Sequence, residues 1–147
     1  MRDLLLILHI TGAAAWLGGI LYAAYTYSTL SRLEPSAAGP SLQRLQLRDD
    51  RYFGAASGLV LLSWVALVLT SDAFGWGDGF LIIGLSAFIL TGILNATVWK
   101  GTTDRLVEAS SAGNGVSKAL RSWQQGTAMD FVLLLVVTWA MVTKIGA

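Results

Sequence analysis

The chain is 147 residues long, 54% hydrophobic and only 13% charged, with a formal net charge of +1. Soluble domains carry about 25% charged residues, so this composition excludes an ordinary water-soluble domain and indicates an integral membrane protein. The near-neutral balance gives no reason to propose nucleic acid as a partner. The absence of cysteine excludes disulfides, iron–sulfur clusters and thiolate metal sites, and one histidine cannot by itself build a multi-histidine metal site.

The first apolar run, about 4–30, carries no charge between Leu4 and Leu30. At ~1.5 Å per residue it exceeds a ~30 Å hydrocarbon core. Arg2 followed by leucines imitates a secretory leader, with Ala13-Ala14-Ala15 as a cleavage-like site. Asp3 weakens the basic start and the run continues past Ala15, so a retained helix is expected. Three further runs, about 52–70, 80–99 and 127–145, are also near the ~20 residues needed for a span. The expectation is an all-α antiparallel bundle of four transmembrane helices forming a single domain over 1–147. Strict alternation suited to β-barrel strands is absent.

The connections differ in charge. The first, 31–51, holds Arg32, Arg44, Arg48 and Arg51, with Pro35 and Pro40 marking a break before a short helical LQRLQLRDD stretch. The second, 71–79, has no Lys or Arg and is expected to be a glycine-rich turn with Trp76 as an interfacial anchor. The third, 100–122, holds Lys100, Arg105, Lys118 and Arg121 around a flexible SSAGNG centre. Each chain end carries one basic residue, Arg2 or Lys144. The positive-inside rule therefore puts connections one and three in the cytoplasm, and both termini outside (N-out, C-out). An inner-membrane location follows.

That topology puts His9 near the outer face, with Ser86, Thr138 and Met141 at similar depth. The inner end collects Tyr22, Tyr25, Asn95, Trp99, Trp123 and Asp130, with Arg51 at the mouth of the second helix. Small residues at four-residue spacing (Ala15/Gly19/Ala23, Gly54/Gly58, and Gly84/Gly92 flanking Phe88) read first as close helix packing. An uncharged imidazole beside a clearing at Gly12 and Ala13, with Trp16 as a flat wall, has the make-up of an axial haem b site. The competing reading is a histidine that simply hydrogen-bonds a neighbouring helix. The second axial position is open, taken by Met141, or filled by His9 of another copy; a methionine so placed is more often simply a lipid- or core-facing residue. Asp130 is the only acidic residue within an apolar run and demands a partner or a proton. Arg51, Lys100 or Asn95 are the obvious partners, so Arg51, Asn95 and Asp130 form an expected secondary polar site.

His9-Ile10, Trp16, Gly19 and Tyr22 resemble the first-helix pattern of the HemJ-type protoporphyrinogen oxidases and the related CopD-like four-helix membrane proteins. Asp130 before FVLLLVV and Arg51 leading into the second helix are weaker echoes. The resemblance implies that His9 is a haem-ligating histidine. It also implies a lysine early in the third helix for enzymes of that group, and Phe80-Leu81-Ile82-Ile83-Gly84 has none, which points to a non-enzymatic branch. The expected function is haem b binding for electron transfer or haem handling within a redox assembly, as a homo-oligomer or part of a larger membrane complex. The alternative is a cofactor-free accessory subunit of a respiratory or photosynthetic complex, and a porphyrin-oxidising enzyme stands third.

Overall fold

The computed structural model describes residues 2–70 and 77–143. The helices are α1 (Arg2–Leu30), α2 (Pro35–Thr70), α3 (Gly79–Leu94), α4 (Lys100–Ala112) and α5 (Val116–Thr143). A five-residue π-helical turn, Asn95–Trp99, joins α3 to α4 without a break. Counting α3 through α4 as one rod, four helices are long and apolar enough to cross a membrane. The expected Trp76 anchor, Lys144 and the last residues of the fourth run lie outside the described residues.

Two expected loops are corrections. Residues 31–51 are not a broken loop: α2 starts at Pro35, and Pro40 sits inside it. Pro35 occupies the first helical position, where a missing N–H costs nothing because first-turn N–H groups have no acceptor within their own helix. Pro40 comes early enough that the helix continues into the apolar run. Residues 100–122 are likewise mostly α4 and the start of α5, turning at Gly113 (φ 69°) and Gly115 (φ 65°). Gly113 caps α4 in a left-handed conformation that a side chain resists.

These extensions build a core of their own. Leu42, Leu45 and Leu106 pack with Ala23, Tyr27 and Trp123, all buried, at the end of the bundle where the basic residues collect. Tyr27 stacks on Trp123 with ring centroids 4.6 Å apart. The Trp123 indole N–H donates to Thr103 Oγ1 at 3.2 Å, and Thr102 and Thr103 both donate to the Trp99 carbonyl at 2.9 and 3.0 Å. These three hydrogen bonds tie α4, α5 and the π-turn to one another.

Elsewhere the helices form two pairs. α1 lies along α2, and α3 along α5, while among the described residues the backbone of α3 approaches neither α1 nor α2. The pairs are tied by α1–α5 and α2–α4 contacts. Side chains bridge the seam between them, led by Trp16 of α1 and Phe88 of α3, edge to face at 6.0 Å. Outward positions are strongly apolar: Ile7, Ile10, Leu21, Leu62, Leu69 and Val142 are all exposed.

Candidate functional site

The site begins where α1 meets α2. Gly12 is buried, and a Cβ there would lie 2.9 Å from Val60 Cγ2 and 3.3 Å from the Val60 backbone nitrogen. Gly12 is therefore a backbone-contact residue; the clearing expected at this position does not exist. Ala13, four residues after His9 and on the same helical face, is the small residue beside the imidazole.

The close approach brings α2 within reach of the histidine. His9 Nδ1 lies 3.1 Å from the Val60 carbonyl oxygen and 3.2 Å from Ser63 Oγ. The Ser63 hydroxyl proton is engaged with the Leu59 carbonyl at 2.6 Å, so its oxygen accepts. A carbonyl can only accept, so the proton resides on Nδ1 and the neutral ring leaves its Nε2 lone pair unused by these contacts. A backbone carbonyl holding one ring nitrogen is how proteins orient a metal-ligating imidazole.

His9 opens onto a cavity of about 70 Å³ in the seam, lined also by Ala13, Trp16, Trp64, Phe88 and Met141. The Met141 methyl group packs at Gly84, where an added Cβ would come within 2.8 Å of it. Thr138 lines the same space but gives its hydroxyl to the Leu134 carbonyl at 2.8 Å. Ser86, expected at this depth, faces outward. The structure thus brings together His9, Ala13, Trp16 and Met141.

Trp16 and Phe88 also wall a second, larger cavity of about 450 Å³ toward the other end, bordered by Asp49, Asp50, Asn95 and Lys100. Gly54 and Gly92 line it, and an added Cβ at either would meet nothing within 4 Å. These glycines keep the seam open; they do not knit helices, contrary to the reading of their spacing. Gly19 does pack, against the rings of Tyr52 and Phe53, and the Tyr52 hydroxyl donates to the Ala15 carbonyl at 2.7 Å.

Sequence reasoning missed the charged corner beside this cavity. Arg48 Nη2 donates to the Tyr22 hydroxyl at 2.9 Å, with its guanidinium 5.4 Å above the Tyr22 ring. Asp49 precedes the apolar part of α2, and burial pushes its carboxyl up to about 6 despite the neighbouring Arg48 and Tyr27. The consecutive Arg48-Asp49-Asp50 was the available signal.

The secondary polar site is only partly assembled. Asn95 and Asp130 line one small cavity of about 30 Å³ with Trp99, Gly126 and Met129. Arg51 is exposed and lines neither this cavity nor the larger one, so the expected Arg51–Asp130 pair does not form. The next residues, Tyr52 and Phe53, take the positions against α1, which turns Arg51 outward.

No family model matches the chain, and neither a curated protein nor a solved structure is detectably similar to it.

Proposed function

We propose that the protein is an inner-membrane, N-out and C-out four-helix protein that binds haem b through His9, for electron transfer or haem handling within a redox assembly. The observation that carries this reading is the hold on His9: Nδ1–H fixed by Val60 and Ser63, with the ring bordering an apolar, aromatic-walled cavity. A haem supplies one-electron chemistry when bound; this chain supplies an oriented nitrogen, an apolar wall and exclusion of water. Met141 offers a thioether to the same space. Pockets for ligands of this class measure ~300–1,000 Å³, far above the 70 Å³ beside His9. The additional room lies across the Trp16–Phe88 partition, in the 450 Å³ cavity of the same seam. Trp16 and Phe88 line both cavities, so these two rings are what divides the space.

The orientation rests on the basic residues of 31–51 and 100–122 outnumbering those at the ends and in the second connection. The apolar outer surface supports residence in the bilayer.

A second reading is a cofactor-free accessory subunit. Gly58 favours it, because among the described residues nothing lies within 4 Å of where its Cβ would be.

The test is an absorption spectrum of the full-length protein in native membranes and after mild detergent extraction. A Soret band lost in His9→Ala supports the haem reading. A colourless, folded protein defeats it, and co-purifying subunits then favour the accessory role.

A further inference from the structure

Asp130 is 94% buried by its 6% exposure, and neither carboxylate oxygen has a hydrogen-bond partner. It sits on α5 with the π-turn residues Asn95, Val98 and Trp99 beside it, around a cavity of about 30 Å³. The Trp99 indole N–H is also buried without a partner, and a Cβ at Gly126 would lie 3.7 Å from it. Gly126, one turn before Asp130, lies against the indole edge, where an added Cβ would make an ordinary contact. The Asn95 amide gives one of its two N–H donors to the Thr91 carbonyl at 3.2 Å. π-Turns inside α-helices recur at functional sites because they re-aim side chains and loosen the backbone ladder.

No charged side chain lines the cavity. α3 and the π-turn contribute only Leu94, Asn95, Val98 and Trp99, and α5 adds Gly126 and Met129. Lys100, which opens α4, is exposed and borders the larger cavity, and no α1 residue lines this one. An ionised carboxylate so placed has neither counter-charge nor donors enough for its lone pairs, a cost of several kcal/mol. A neutral carboxylic acid carries no charge to be compensated, and the cavity has room for one water to take its proton's hydrogen bond.

We propose that Asp130 is a proton-binding site within the membrane bundle, carrying its proton at neutral pH in the cavity it shares with Asn95 and Trp99. The proposal does not depend on His9 or on a haem.

The test is infrared spectroscopy of the full-length protein reconstituted in lipid vesicles, titrated in pH. The expected result is a neutral-carboxyl C=O stretch at neutral pH that shifts in heavy water, vanishes reversibly in alkali and is missing in Asp130→Asn. Trp99→Phe should retain the band, because the proton is held by the Asp130 carboxyl itself. Asp49→Asn should leave it in place. Asp130→Glu, keeping the acid, guards against an asparagine variant that fails to fold and should restore the band. No such band at neutral pH overturns the proposal. So does a band abolished by sodium ions at constant pH, which would make the site one for a metal cation.

Discussion

Gly12 of α1 lets Val60 of α2 approach so closely that the Val60 carbonyl oxygen stands 3.1 Å from His9 Nδ1. The glycine and the histidine, three residues apart, act through a single residue of the opposite helix. Gly12→Val should push α2 away and free the imidazole. Overpacking of this kind costs about 1–3 kcal/mol, read as a lower midpoint in detergent unfolding. Any His9-dependent absorption should broaden or vanish with it. A variant of unchanged stability and spectrum would show that the close approach is dispensable.

Gly39 makes the corresponding contact between α2 and α4, where an added Cβ would run into the Ser111 side chain and lie 3.2 Å from its Cα. Gly39→Val should therefore destabilise by about 1–3 kcal/mol. Gly58→Ala is the counterpart: nothing lies within 4 Å of the new methyl group. Removing an interior helix glycine should raise stability by up to about 1 kcal/mol. Thermal unfolding of the two variants side by side separates glycines that pack from glycines that leave space. If Gly58→Ala instead blocks assembly with another chain, the accessory-subunit reading gains.

Trp123 of α5 ties together α4, the π-turn and α1 through its N–H to Thr103, its stacking on Trp99 at 6.3 Å and its stacking on Tyr27. Trp123→Phe keeps an aromatic ring and loses that bond and part of the packing. A cost of about 1–3 kcal/mol is expected, with more rapid hydrogen exchange around residues 99–106. Unaltered exchange there would mean that Trp123 does not brace the turn.

Asp49 gives a pH signature with a definite sign. Its folded carboxyl titrates at about 6 against an ordinary 3.8, chiefly because burial disfavours the charge. The folded state therefore binds more protons than the unfolded state between those values, and stability should fall as pH rises through that window. Asp49→Asn should flatten this part of the profile and stabilise the protein at neutral pH. Unfolding midpoints measured from pH 4 to 7 decide it; a slope unchanged in the variant assigns the effect elsewhere.

The membrane-sized helices were legible because apolar runs of that length have few other fates. The helical stretches beyond them were not, since Leu42, Leu45 and Leu106 are sparse apolar points in polar sequence and Pro40 looks like a break. Only their packing under Tyr27 and Trp123 makes them a core. His9, Ala13, Trp16 and Met141 fell together as the one-turn spacing and the depth argument suggested. Gly12 did not, because a glycine that opens space and one that admits a backbone are identical in sequence. Gly54 and Gly58 misled in the opposite direction. The π-turn at Asn95 left no sequence signal, and it is what sets Trp99 beside Asp130.

Because α3 passes through the Asn95–Trp99 turn directly into α4, the two lie on one continuous rod. One end of that rod lines the seam at Phe88, and the other meets the start of α2 where Gly39 and Ser111 touch. A change in what fills the seam therefore bears on the same rod that packs against the first turns of α2.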